Sequence, residues 1–167
     1  MRGAASVPKA LLEVGGMPIL CHIMELYGRY GFCDFILPLG YKGHKIKEYF
    51  SAFPINRSDY RLSLEDGHIV YFNTAKRPWN ITFVDTGLDT QTGARLAMLQ
   101  KYITEDHFFA TYADGLSDVD IGKLLAYHHR LKRIATGAVA SICKRAVHQI
   151  GRASCRKECR SRWSPYH

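Results

Sequence analysis

The sequence has 167 residues, of which 47% are hydrophobic and 23% charged, and its formal net charge is +8. This length allows one globular domain that buries roughly 70% of the surface its unfolded chain exposes. No apolar run approaches the about 18 residues of a membrane-spanning helix, and no secretory leader is recognisable. We therefore expect a cytoplasmic protein with no membrane partner.

The last segment, residues 150–167, differs in composition from the rest of the chain. It lacks apolar periodicity and resembles the translation of a sequencing-library adaptor. We interpret residues 150–167 as a non-native tail and residues 1–149 as one partial domain. Five basic residues and one acid lie in the tail, so about half of the net charge belongs to it. A nucleic-acid partner is therefore not expected.

Two of the five cysteines also fall in this tail, so their metal-like spacing carries no information. The other three, Cys21, Cys33 and Cys143, are widely spaced in apolar surroundings. We predict that they are buried free thiols of a protein from a reducing compartment.

Apolar periodicity predicts alternating helices and strands along the chain. Helices are expected at 18–31, 46–53, 96–103 and 118–131. Strands are expected at 35–39, 81–84, 107–112 and 135–142, with a β-hairpin formed by 60–64 and 68–72. Because strands alternate with helices of about ten residues, the predicted fold is α/β, with a mostly parallel sheet covered on both faces.

The predicted strand at 107–112 leads into Asp114 and Gly115. At the carboxyl end of a buried parallel strand, where open α/β sheets bind ligands, Asp114 could hold a divalent cation against a phosphate. The same residues are equally consistent with a simple turn, followed by Asp118 as a helix cap.

A series of different short motifs lies between about residue 8 and residue 125. They are Pro8-Lys9, Glu13-Val-Gly-Gly-Met-Pro-Ile-Leu20, His22-Ile-Met24, Gly40-Tyr-Lys-Gly43, Ile46-Lys-Glu-Tyr-Phe50, Pro78-Trp-Asn80, Val84-Asp-Thr-Gly87, Thr92-Gly93, Arg95-Leu96 and Asp114-Gly115. With these motifs the chain resembles the sugar-1-phosphate nucleotidyltransferases, and among them the cytidylyl branch. The resemblance implies a doubly wound, Rossmann-like nucleotidyltransferase sheet, here incomplete, with a small β-hairpin.

The resemblance also implies a reaction and a set of site residues. The reaction is the magnesium-dependent formation of CDP-glucose and pyrophosphate from CTP and glucose 1-phosphate. Asp114 matches the family's metal-binding aspartate, and Lys9 matches a catalytic lysine that faces the nucleotide phosphates. Thr90, Arg95 and Ala113 match positions of nucleotide contact. Arg95 could recognise the cytosine edge through its forked donors, or it could reach a phosphate.

The sequence departs from the family in two places. The glycine-rich phosphate loop and a second metal-binding aspartate are absent, so we expect an internal fragment that is inactive alone. Alternatives are a thymidylyl-, uridylyl- or guanylyltransferase relative, or a non-catalytic nucleotide-binding module. The sequence neither predicts nor excludes a homo-oligomer of the intact parent protein.

Overall fold

The computed structural model describes residues 7–74 and 77–137, which fall into two compact units divided between Leu116 and Ser117. The elements of the first unit are a 3-10 turn Lys9–Leu11, β1 Glu13–Val14, β2 Met17–Pro18, α1 Ile19–Gly28, β3 Asp34–Leu39, α2 Gly43–Ser51, α3 Phe53–Asn56, β4 Ser58–Leu62, β5 Ile69–Thr74, β6 Asn80–Asp85, α4 Thr92–Met98 and a 3-10 turn Gln100–Tyr102. The second unit contains α5 Ile121–Leu131.

Strands β3 and β6 form a parallel pair, and this pair positions the candidate site. The register runs from Asp34 opposite Asn80 to Leu39 opposite Asp85. At the amino ends, the side-chain amide of Asn80 donates to the Asp34 carboxylate at 2.8 Å. Because parallel strands run in the same direction, the carboxyl ends of β3 and β6 lie side by side.

The first unit's apolar core lies where helix α1 packs beside strand β3. A buried cluster is formed by Ala10 of the 3-10 turn and by Leu20 and Met24 of α1. Phe35 and Leu37 of β3 pack against this cluster. Full burial of a side chain such as Leu20 or Met24 contributes about 1.5–3 kcal/mol to stability.

The hairpin predicted from alternating residues is confirmed. Strands β4 and β5 pair antiparallel, with an irregularity in register between Asp59 and Tyr60. The turn contains Gly67 at a φ of +70°, which favours glycine, and the Asp66 carboxylate accepts the His68 N–H at 3.0 Å. Leu64, expected in the first strand, instead lies exposed in the turn.

The helix predicted from residue 118 begins at Ile121. The Asp120 carboxylate accepts the backbone N–H of Lys123 at 2.9 Å and so caps the first turn of α5. The interpretation of Asp118 as the cap is wrong, because α5 begins three residues later.

The strand predicted at residues 107–112 does not form. Strand β3 pairs with β6 alone in the described ranges, and a parallel strand without a hydrogen-bonded neighbour is not stable. Phe108 and Tyr112 favour strands, but they are 57% and 71% exposed and are not buried in a sheet. The segment instead packs against α1 through Phe109, whose ring contacts Tyr27 edge to face with centroids 5.4 Å apart.

The α/β class predicted from the sequence is confirmed, with a parallel pair and a small antiparallel hairpin. In the described ranges, no helix combines the length and the apolar character needed to cross a bilayer. Most of the strand expected at 135–142, the thiol of Cys143 and the tail at 150–167 lie outside the described residues. Of the other two thiols, Cys21 is buried and Cys33 half-buried, and both are free.

Candidate functional site

The loop between β6 and α4 is folded by its own hydrogen bonds. The Asp85 carboxylate accepts the backbone N–H of Gly87 at 3.0 Å, and Gly87 has a φ of +81°, a conformation that favours glycine. The Thr90 hydroxyl donates to the carbonyl oxygen of Thr86. The Asp85 carboxylate therefore stabilises the turn at the start of the loop.

Arg95, in α4, ties this loop to the parallel strands. Its Nε donates to the carbonyl oxygen of Thr90 at 2.9 Å, and its Nη2 donates to that of Leu88 at 3.1 Å. Its Nη1 donates to the Leu39 carbonyl at 3.3 Å and to the Thr86 hydroxyl. The planar guanidinium thus joins the carboxyl end of β3 to the whole loop.

The guanidinium lies directly against Gly40, the residue that follows β3. A Cβ atom at Gly40 would stand 2.7 Å from Arg95 Nη2 and 2.9 Å from the carbonyl oxygen of Gly87. Contacts this short do not occur for real Cβ atoms, so the absence of a side chain at Gly40 is what allows the arginine to reach β3.

Thr86 lies at the centre of this arrangement and is 2% exposed. Its backbone N–H and its hydroxyl both donate to the Leu39 carbonyl oxygen, at 2.8 and 2.9 Å. Sequence reasoning gave Thr86 no role, although it belongs to the Val84-Asp-Thr-Gly87 motif. The signal that could have identified it is a hydroxyl directly after a buried strand, where an unpaired polar group would be costly.

The structure brings two of the predicted nucleotide-contacting residues together. Thr90 and Arg95 are joined by the bond from Arg95 Nε to the Thr90 carbonyl, and both are half-buried. Four of the guanidinium's five N–H donors are used within the described part of the chain, which leaves one on Nη2. Forked recognition of cytosine by Arg95 would therefore require a loop bond to break.

The other predicted site residues are grouped around the core beside β3. Ala113 packs against the buried cluster that contains Ala10. Lys9 precedes Ala10 and Asp114 follows Ala113, so each charged residue is next in sequence to a residue of the same apolar core. Both charged side chains are exposed. No hydrogen bond or ion pair between Lys9 and Asp114 is present among the described residues.

The segment that carries Asp114 is held by aromatic contacts. Phe109 lies between Tyr27 and Phe32, with its ring centroid 4.9 Å from that of Phe32. Burial raises the pKa of Tyr27, and a hydrogen bond with the Thr111 side chain acts in the opposite direction. These contacts hold Phe109 and Thr111, which precede Asp114 in the chain, beside the carboxyl-terminal end of α1.

In residues 7–74 and 77–137, no group of three or more histidine, cysteine, aspartate or glutamate side chains comes together as a metal site. Asp114 is a single exposed carboxylate at a turn. Such a donor suits Mg²⁺, which binds through one or two carboxylates, substrate phosphates and water. It does not suit a metal held by protein ligands alone.

Comparison with known proteins supports the resemblance carried by the sequence motifs. The chain is similar to sugar-1-phosphate nucleotidyltransferases, although no protein-family model matches it. The relatives are named glucose-1-phosphate cytidylyltransferase in Salmonella typhimurium and Salmonella typhi, each 40% identical over 130 residues and 77% of this chain. A Bacillus subtilis protein named probable glucose-1-phosphate cytidylyltransferase is 41% identical over 78% of this chain.

The resemblance is thereby confirmed. The chain spans about half the length of the curated relatives it matches, since the matched region covers 51% of each of them.

Proposed function

We propose that this chain belongs to a nucleotidyltransferase that makes CDP-glucose and pyrophosphate from CTP and glucose 1-phosphate, and that the chain alone binds nucleotide but is inactive. The observation that carries the proposal is the 40% identity, over 130 residues, to enzymes named for that activity. The geometry is consistent with it, because Arg95 of α4 is hydrogen-bonded to Thr90 of the β6–α4 loop, and Lys9 and Asp114 adjoin one apolar cluster.

In the proposed reaction, a phosphate oxygen of glucose 1-phosphate forms a bond to the α-phosphorus of CTP. The bond from that phosphorus to the oxygen of the leaving pyrophosphate breaks. The attacking phosphate is already an anion, so the chain need not supply a base. Catalysis then depends on holding two anions in line and offsetting their charge.

Lys9 is proposed as the catalytic cation. It is exposed and lies in the 3-10 turn, whose next residue, Ala10, is anchored in the core. An ammonium group on such a fixed backbone can stand beside the α-phosphate and offset the charge that the attacking oxygen brings.

Asp114 is proposed as the protein ligand of Mg²⁺, with phosphate oxygens and water completing the coordination. The cation, when bound, would neutralise phosphate charge. Ala113, packed in the core, fixes the backbone from which Asp114 extends.

The β6–α4 loop is proposed to contact the nucleotide. The Thr90 side chain and the remaining N–H donor on Arg95 Nη2 are the polar groups this loop could offer to CTP. Because a single arginine donor makes one bond rather than two, we propose that the base is distinguished chiefly by the loop's shape and backbone, with Arg95 as an auxiliary donor.

Competition between nucleotides tests this proposal. The 167-residue chain, with magnesium present, should bind CTP at least about tenfold more tightly than UTP, dTTP or GTP, a difference of about 1.4 kcal/mol. Equal binding of dTTP or UTP would assign the chain to another branch of the family. Binding of all four nucleotides that is unaffected by magnesium would indicate a non-catalytic nucleotide-binding module.

A further inference from the structure

Thr86 is the only polar residue that is buried as a whole in the part of the chain that the structure describes. Its hydroxyl stands between the ends of two elements: it donates to the Leu39 carbonyl at 2.9 Å and accepts a hydrogen bond from Arg95 Nη1. Nothing in the reaction requires a hydroxyl at this depth. Its position therefore calls for another explanation.

We propose that Thr86 is a positioning residue, whose hydroxyl fixes the Arg95 guanidinium and through it the nucleotide-binding loop. The assignment of nucleotide binding to this loop rests on the proposed function. The positioning itself rests on the hydrogen bonds alone.

The N–H donors of the guanidinium must be satisfied by the few acceptors around it. The Leu39 carbonyl already accepts the Thr86 N–H, the Thr86 hydroxyl and Arg95 Nη1, more donors than its two lone pairs suit. The bond from Nη1 to Leu39 is also the longest of the four, at 3.3 Å. The Thr86 hydroxyl is therefore the acceptor that holds Nη1 in place.

Fixing Nη1 also fixes the rest of the planar group. With Nη1 held, Nε points at the Thr90 carbonyl and Nη2 at the Leu88 carbonyl, and these bonds set the loop's course. The remaining N–H of Nη2, which is not used in these bonds, is then also held in a fixed direction. Removal of the hydroxyl would let the guanidinium rotate, and the loop would lose its hydrogen bonds from Arg95 to the carbonyls of Thr90 and Leu88.

The variant that tests this is Thr86→Val, which has the same shape but no hydroxyl. Thr86→Ser retains the hydroxyl, and Thr82→Val changes an exposed threonine of β6, the strand that precedes Thr86, as a control. The bond from Thr90 to Thr86 uses the backbone carbonyl, so it survives in all three variants. The first readout is the hydrogen-exchange rate of the Arg95 Nε–H, followed by NMR in the 167-residue chain without ligand.

We expect this exchange to accelerate by about tenfold in Thr86→Val, the effect of losing one hydrogen bond to a charged group, and to change less than about twofold in Thr86→Ser and Thr82→Val. Unchanged exchange in Thr86→Val would overturn the proposal. If Thr86→Val does not fold, Thr86→Ser decides, because loss of protection while the hydroxyl remains would also overturn it.

The second readout is the affinity for CTP with magnesium. Thr86→Val should weaken binding by about tenfold, and Thr86→Ser should restore it to within about twofold. Equal weakening in both variants would contradict a role for the hydroxyl. If the unaltered chain binds no nucleotide, the proposed function fails for this chain, and the exchange of Arg95 still decides the positioning.

Discussion

Nη1 of Arg95 donates to the carbonyl oxygen of Leu39 at 3.3 Å, and so helix α4 is joined to the last residue of strand β3. The two residues are 56 positions apart in sequence. This bond brings the β6–α4 loop to the carboxyl ends of the parallel strands, where α/β sheets bind ligands. Several measurable properties depend on this contact and on those around it.

Replacement of Gly40 by alanine should destabilise the first unit. The new Cβ would lie 2.7 Å from Arg95 Nη2 and 2.9 Å from the Gly87 carbonyl, so the guanidinium and the loop would both have to move. We expect a loss of about 1–3 kcal/mol in the free energy of unfolding, measured by urea denaturation.

The matched control is Gly93→Ala, in the first turn of α4. A Cβ at Gly93 would meet nothing within 4 Å, and alanine favours helix over glycine. This variant should be stabilised by about 0.5–1 kcal/mol. A Gly40→Ala protein as stable as Gly93→Ala would show that the close approach of Arg95 does not exist in solution.

Removal of the Asp120 side chain should weaken helix α5. Its carboxylate accepts the Lys123 N–H, and loss of such a cap costs about 1 kcal/mol. Asp120→Ala should lower helicity measured by far-ultraviolet circular dichroism, whereas Asp120→Asn, which keeps an acceptor, should change it little. Asp118→Ala is the control, and an equal effect there would contradict the assigned cap.

Stability should fall at alkaline pH because of Tyr49. Burial, followed by its hydrogen bond with the Cys21 thiol at 3.8 Å, raises the pKa of Tyr49 from 10.0 to about 12. The folded chain keeps the phenol proton where the unfolded chain has lost it. This stabilisation is therefore fully present below about pH 10 and is lost as the pH rises towards about 12.

The measurement is the free energy of unfolding of the chain and of Tyr49→Phe across this range of pH. The unaltered chain should lose stability more steeply than Tyr49→Phe between about pH 10 and about pH 12. Parallel curves would mean that Tyr49 is not the group responsible.

Loss of the Lys9 ammonium should weaken CTP binding. A charged hydrogen bond to phosphate is worth about 1.5–3 kcal/mol, so Lys9→Ala should raise the dissociation constant at least about tenfold. Lys9→Arg, which keeps the charge, should retain part of the affinity, and Lys101→Ala, at another exposed lysine, should have no effect. Equal losses at Lys9 and Lys101 would point to general charge attraction rather than a site.

The sequence correctly predicted those elements whose patterns lie within a few neighbouring residues. Helix α1, the hairpin and the strands β3 and β6 were predicted because their apolar spacing and turn residues act over a few positions. The strand at residues 107–112 was wrongly predicted for the opposite reason. Its residues favour a strand, but a strand forms only with a hydrogen-bonded neighbour, which lies elsewhere in the chain.

The same distinction applies to the candidate site. The family resemblance assigned Thr90 and Arg95 to the site but could not show that Arg95 uses four donors in hydrogen bonds within the protein. Nor could it show that Gly40 is required by a side chain from a distant helix, or that Thr86 is buried. The contacts of Arg95 with Leu39 and Gly40, and of Thr86 with Leu39, join residues far apart in sequence, and a local pattern does not encode them.

The most direct test of the central claim is a calorimetric titration of CTP into the 167-residue chain, with and without magnesium, repeated for Asp114→Ala. We predict that magnesium strengthens binding and that Asp114→Ala abolishes this dependence on magnesium while the fold is retained. Binding that responds equally to magnesium in both proteins would contradict the assignment of Asp114, and with it the proposed site.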